Sequence, residues 1–312
     1  MILLIKYTLL YAVVLLLVAL GGMFSERSGV INIALEGIMT IGGLSGIFAL
    51  VLLGGTAAAP VRVLLAVLAS VVTGMIYSLL LAYSAINLKA DQTIGGTALN
   101  MLATAVAIVS VKAYNNLSPA GTGAASTKLV YDNAPFIYRI GSVTINIFLI
   151  FAIIILVCSS LFLFRTKWGL RLRACGENPQ AADAVGVNVY RWRYVGVLIS
   201  GALGGLGGLA YMVPSVSTWN FEVGVSGAGF LALAVMIFGQ WKPYRIAGAA
   251  VFFAMFRSLA NIADSTALVN LGWSKNIYNM MPFLASMILL AFTSGNSRAP
   301  KAEGIPYDKG AR

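Results

Sequence analysis

The sequence predicts an all-α, polytopic membrane bundle of about nine spans, within bounds of roughly eight to ten. Three observations carry this. The 312-residue chain is 59% hydrophobic and only 10% charged, too few charges to cover a soluble fold of that size. Several apolar runs reach the roughly 18 residues needed to cross hydrocarbon. Polar residues are gathered into links between those runs, with one long link in the middle of the chain. No stretch remains for a large soluble domain. Residues 1–293 are therefore expected to form one membrane domain and 294–312 a polar tail.

The first run, 7–24, is too long for a cleaved signal peptide and lacks a small-residue cleavage site, so it reads as a span that also targets the chain. After SERSG a second run covers 30–53. Gly54, Gly55 and Pro60 mark a turn before the third, 63–87. The tight link NLKAD leads to the fourth, 92–111. Residues 112–144, rich in Asn, Ser, Gly and Pro, read as irregular. The fifth span is 145–164 and the sixth 194–213; a short seventh, 226–239, is framed by Gly229 and Gly239. The eighth and ninth are 246–259 and 277–292, and the tail beyond them is expected to be disordered. Trp219, Trp241, Tyr244 and Trp273, near span ends, read as interfacial anchors.

Charge orients the bundle. With the central link in the cytoplasm and the spans alternating, cytoplasmic links carry twice as many Lys and Arg as the opposite ones. The N-terminus then lies outside and the tail inside. The net charge of +11 is accounted for by basic loops facing the cytoplasm and anionic lipid, with no call for nucleic acid. The chain has no histidine, which removes the commonest zinc ligand and the usual general base. Its cysteines, Cys158 in a span and Cys175 in the central link, are placed apart and suggest no disulfide. No metal site and no catalytic residue is expected. The P-loop pattern G-x-x-x-x-G-K followed by Ser or Thr is absent, as are H-E-x-x-H and G-x-S-x-G.

The central link, 165–193, holds six Lys or Arg against Glu177 and Asp183. It contains a short helix with its own punctuation. Asn178 can cap free N–H groups, Pro179 fits the first turn, QAADAV continues and Gly186 stops it. A capped helix outside the bilayer is either a docking surface for a cytosolic partner or a connector that orients the flanking spans.

Two polar stripes run inside apolar spans. Asn32, Glu36 and Thr40 are spaced four apart on one helix face. Glu36 either pairs with a nearby cation such as Arg27 to hold the bundle or serves a solute or a gate. Thr93, Thr97, Asn100 and Thr104 form a second stripe, which reads as interhelical hydrogen bonding or as the lining of a polar path. In the sixth span, Gly201 and Gly205, and Gly204 and Gly208, have the spacing of close helix packing.

Three segments also carry a resemblance. GENPQAADAVGVNVYRWR at 176–193, FSERSGVINIALEGIM at 24–39 and GFLALAVMIFGQWKP at 229–243 together resemble the permease subunits of bacterial ABC importers for ribose, branched-chain amino acids and nucleosides. The wording of the last two is most similar to the nucleoside type. The resemblance implies a type II-like importer permease in the bacterial cytoplasmic membrane. It implies partners: an ABC ATPase that holds ATP and magnesium, a second permease, an extracytoplasmic substrate-binding lipoprotein and surrounding lipid. It implies that Gly176, Glu177, Asn178, Pro179, Ala181, Ala182 and Gly186 form the ATPase-coupling helix. It also implies that Asn32, Glu36 and Thr40, with Thr97, Asn100 and Thr104, lie near the substrate pathway. An ion-driven secondary transporter is the alternative class, and a sugar or branched-chain amino acid permease the alternative substrate reading.

Overall fold

The computed structural model describes residues 2–55, 57–118, 123, 126–140, 143–262, 275–293 and 299–310. Among these, eleven α-helices build the protein. They are α1 (Ile2–Arg27), α2 (Leu35–Leu53), α3 (Ala59–Ala82, continued by a π turn Tyr83–Asn87), α4 (Gln92–Leu117), α5 (Ile147–Arg165), α6 (Lys167–Glu177), α7 (Pro179–Ala184), α8 (Val189–Met212), α9 (Ala228–Phe238), α10 (Pro243–Ile262) and α11 (Lys275–Thr293). Seven are long and apolar enough to cross a membrane: α1, α2, α3 with its π turn, α4, α5, α8 and α10.

The other two expected spans are helical but differ in kind. The eleven residues of α9 extend only about 16 Å, half a bilayer. Helix α11 carries Pro282 inside it. The second span also starts later than its apolar run, because residues 28–34 form no helix and α2 begins at Leu35. The segment 112–144 is more ordered than its composition suggests. Helix α4 continues to Leu117, β1 (Lys128–Val130) pairs antiparallel with β4 (Thr218–Asn220), and β2 (Ile137–Ile140) pairs with β3 (Val143–Asn146). The β1–β4 pair joins residues some ninety positions apart, which local composition could not announce.

Helix α8 is the centre. Its apolar stretch is 78% buried, against 22% for α4 and for α5. Its two glycine stripes serve two neighbours. A Cβ on Gly205 would run into the Ser70 carbonyl of α3, and one on Gly208 into the Met39 carbonyl of α2. The small-residue spacing therefore works as close packing, and Ser70 Oγ donates to Gly205 O at 2.6 Å across the α3 contact. By contrast α5 exposes Ile150, Ile153, Ile154, Val157 and Leu161, an apolar face suited to lipid.

The tail departs from expectation. Residues 299–310 are not loose. They pack across the end of the bundle that carries α6 and α7, with Ala302 and Tyr307 buried. The physical reason is that this polar stretch hides two apolar plugs and donates backbone hydrogen bonds, which composition alone conceals.

Candidate functional site

The central link folds as three helices joined by caps. Thr166 Oγ1 accepts from Gly169 N at 3.1 Å to start α6, Asn178 Oδ1 accepts from Ala181 N at 3.0 Å to start α7, and Asn188 Oδ1 accepts from Arg191 N at 3.0 Å to start α8. Gly186, at φ +81°, ends α7 in a conformation that favours glycine. The short helix lies where its caps foretold, and α6 precedes it unannounced.

The seven residues of this motif divide into two groups. Gly176 and Ala182 are buried; a Cβ on Gly176 would strike the Arg27 carbonyl, so α6 wedges directly against the last turn of α1. Glu177, Asn178, Ala181 and Gly186 are exposed, and Pro179 is half-buried. Glu177 pairs with Arg27 across 3.6 Å, its side chain still 47% exposed. Around them α6 and α7 present Trp168, Leu170 and Val185 to solvent. Burial pushes the Cys175 thiol beneath this face up to about 11. These apolar groups stand beside the exposed Lys167, Arg171 and Glu177, on a tightly seated base.

The first interior stripe is not one helix face, since Asn32 lies in the non-helical 28–34 segment ahead of α2, but its members bond to the chain's own groups. Glu36 Oε1 accepts from Gly227 N and Oε2 from Gly229 N, both at 2.7 Å. Its carboxylate thus caps the N-terminus of α9, where the helix dipole favours negative charge. Arg27, the partner suggested by sequence, turns instead to Glu177 and to the Trp241 carbonyl at 3.1 Å. Asn32 is buried and donates to Ser200 Oγ at 2.8 Å; Thr40 Oγ1 donates to Glu36 O at 2.9 Å within its helix.

The second stripe splits. Asn100 turns toward α2, accepting from Gly37 N at 2.7 Å and donating to Ile33 O at 2.9 Å. Together with Gln92, whose Oε1 accepts from Ile31 N at 2.7 Å, it satisfies the backbone of the break between α1 and α2. Thr93 and Thr97 are exposed and Thr104 half-buried; Thr97 and Thr104 bond only to carbonyls of α4.

Other functional-looking groups escaped the sequence reading. Trp241 is not an interfacial anchor: it is 2% exposed and its Nε1 donates to Glu26 Oε2 at 2.6 Å. Trp273 lies outside the described residues. Arg193, 1% exposed, sends Nη1 to Ile305 O at 3.0 Å. Its place in a basic link hid its burial; only the neighbouring apolar residues of α8 hinted at it. Among the described residues no cluster of His, Cys, Asp and Glu could hold a metal, and both cysteines are free.

A multi-pass bundle with an exposed, capped short helix at one end and a half-length helix capped inside it suits an integral-membrane transport permease. The family comparison agrees: residues 4–291 match the model of the branched-chain amino acid transport system permease component, and the chain belongs to that family. It is 40% identical to the guanosine ABC transporter permease protein NupQ of Bacillus subtilis, over 98% of this chain and 96% of that one. It is 35% identical to the nucleoside ABC transporter permease protein NupC of Lactococcus lactis subsp. cremoris, covering 96% and 95% of the two chains. A second permease of that organism, NupB, is 27% identical over 60% of this chain and 52% of its own.

Proposed function

We propose that this chain is the membrane-spanning subunit of an ATP-driven importer that moves nucleosides across a bacterial cytoplasmic membrane. ATP and magnesium are held by a separate ATPase that docks on α6 and α7. A second permease completes the path, and an extracytoplasmic lipoprotein delivers solute. ATP binding draws the docked subunits together, the coupling segment follows, and the path switches between inward and outward access; solute biases that balance only through its differential affinity for the two states.

The observation that carries the reading is the pairing of an exposed, capped α7 with near-full-length similarity to permeases named for guanosine and nucleosides. The interior chemistry supports a neutral solute. Glu36 is engaged by α9, while the outward side of α4 offers hydroxyls at Thr93, Thr97 and Thr104. A branched-chain amino acid, which the family's description favours as the second reading, is a zwitterion and would want a carboxylate left unspent.

Two measurements test this. Uptake of labelled guanosine is compared in cells with and without the gene, with unlabelled ribose and leucine as competitors. Loss of uptake with the gene, and competition by nucleosides alone, is expected; full competition by ribose or leucine rejects the solute. Glu177→Lys is expected to abolish uptake and weaken co-purification of the ATPase while the chain stays in the membrane. Normal uptake by that variant removes the docking assignment.

A further inference from the structure

The segment 299–310 bonds to four separate parts of the bundle end that carries α6 and α7. Ala302 N donates to Gly176 O at 2.8 Å, within the coupling segment. Gly304 N donates to Gly29 O at 3.2 Å, in the break that follows α1. The Ile305 carbonyl receives Arg193 Nη1 from the first turn of α8, and Asp308 accepts from Lys89 Nζ at 2.7 Å, just beyond the π turn of α3. Tyr307 is the plug. Its ring lies 5.4 Å from that of Tyr190, in a small apolar cluster with Cys175, Ala182 and Val189. The strap is thus anchored in the coupling segment, the α1–α2 break, α8 and the α3–α4 turn at once.

We infer that this C-terminal strap transmits movement of the coupling segment to the transmembrane helices, with Tyr307 as its positioning residue. The coupling segment also meets the bundle directly: a Cβ on Gly169 would strike the Phe162 carbonyl of α5, Arg173 lies 4.9 Å over the Phe164 ring, and Gly176 wedges against Arg27 beside the Arg27–Glu177 pair. To these contacts the strap adds the α3–α4 turn. Nothing else among the described contacts ties α6 and α7 to the α3–α4 turn. A short element with a buried aromatic plug and several backbone bonds can move its anchor points as one body. The inference rests on the docking role proposed above for α6 and α7.

The test uses inside-out vesicles holding the chain with its partner subunits, in a Cys158→Ser background. Three quantities are read: labelling of Cys175 by a maleimide, ATPase co-purification, and guanosine uptake per ATP hydrolysed, which in these inverted vesicles is release of guanosine preloaded in the lumen together with the substrate-binding protein. In Tyr307→Ala, Cys175 is expected to become labelled, the ATPase to remain bound, and uptake per ATP to fall about tenfold. Tyr307→Phe, which keeps the ring, restores both protection and uptake. Unchanged uptake per ATP in Tyr307→Ala overturns the inference, and so does loss of the ATPase together with uptake. If Tyr307→Ala fails to reach the membrane, the charge exchange decides: Lys89→Asp lowers uptake per ATP and adding Asp308→Lys restores it, or the inference falls. Vesicles of the unaltered chain that hydrolyse ATP but ignore guanosine condemn the solute reading instead. The strap is then scored by labelling alone, equal protection of Cys175 in both chains being the result that overturns it.

Discussion

Two polar stripes, one spaced by fours and the other by four, three and four, meet opposite ends. Asn32, Glu36 and Thr40 point into the bundle, and every one of them bonds to the protein's own groups. Thr93, Thr97 and Thr104 lie on a helix whose apolar stretch is only 22% buried, and the hydroxyls of Thr97 and Thr104 donate to carbonyls of that same helix. Periodicity says which side chains share a face. Whether that face looks inward or outward depends on packing. The difference teaches that the Glu36 carboxylate, the strongest functional signal in the two stripes, serves the chain's own architecture, while weaker hydroxyls are the groups left facing out.

The sharpest way to break this comparison is Glu36→Ala. It leaves the N–H groups of Gly227 and Gly229 without their acceptor in a partly buried site, at a cost of about 1–3 kcal/mol for each unsatisfied group. Thermal unfolding of the detergent-solubilised chain is expected to shift down by several degrees, with uptake almost lost and less chain in the membrane. Glu36→Gln, which keeps one acceptor oxygen, should recover part of the stability. If Glu36→Ala were fully stable but inactive, the carboxylate would serve solute and the comparison would collapse.

Asn100→Ala comes next. Asn100 belongs to the second stripe by spacing but to the first by behaviour, since it holds Gly37 N and Ile33 O across the α2–α4 contact. Its removal is expected to cost about 1–3 kcal/mol and to lower uptake with stability, not independently of it. A change in uptake at unchanged melting temperature would return Asn100 to the solute-facing group.

These residues also mark how far the sequence could be read. The span pattern was legible because hydrocarbon demands long apolar runs. Helix α7 was legible because Asn178, Pro179 and Gly186 act locally. Glu36 and Arg27 were legible as polar groups needing partners, but not their partners: α9 lies about 190 residues on from Glu36, and Glu177 about 150 from Arg27. The strap was missed for the same reason. Its Tyr307 gains meaning only from Cys175 and Tyr190, while polar neighbours gave the tail the composition of a loose end.

Glu303 in that strap offers a contrast in titration. It shares a hydrogen bond with Glu26 and faces Arg27, beyond which stand Glu177 and Arg173. Burial pushes the Glu303 carboxyl from its ordinary 4.5 up to about 7. Between those values the seated strap holds more protons than the released one, so seating is strongest below the window and weakens as pH rises through it. Protease trimming of the tail in inside-out vesicles is therefore expected to be several-fold faster at about pH 8 than at about pH 5.5 relative to a control cleavage site, and Glu303→Gln to remove the difference. A wild-type rate ratio that does not change with pH would rule this out.

Thr97→Val reads the outward stripe. The hydroxyl bonds only to carbonyls of its own helix, so melting is expected to stay within about 0.5 kcal/mol of the parent. If the outward face lines the path, KM for guanosine rises about fivefold, the worth of one net hydrogen bond near 1 kcal/mol, at unchanged membrane level. An unaltered KM would assign that face to lipid or to the second permease.

Thr40→Val should do least, and for that reason it is the cleanest control on the comparison. Thr40 is 1% exposed and sits one turn after Glu36, to whose carbonyl its hydroxyl donates an extra bond. That carbonyl lies in the body of α2 and is already served by the helix ladder, so removing the hydroxyl orphans nothing. Valine replaces the hydroxyl with a methyl of similar size and raises no new polar demand. Stability within about 0.5 kcal/mol and uptake at the parental rate are expected. A loss of uptake here, with stability intact, would mean that the inward stripe reaches solute after all, and that Glu36 caps α9 in one state of the transport cycle while its face opens in another.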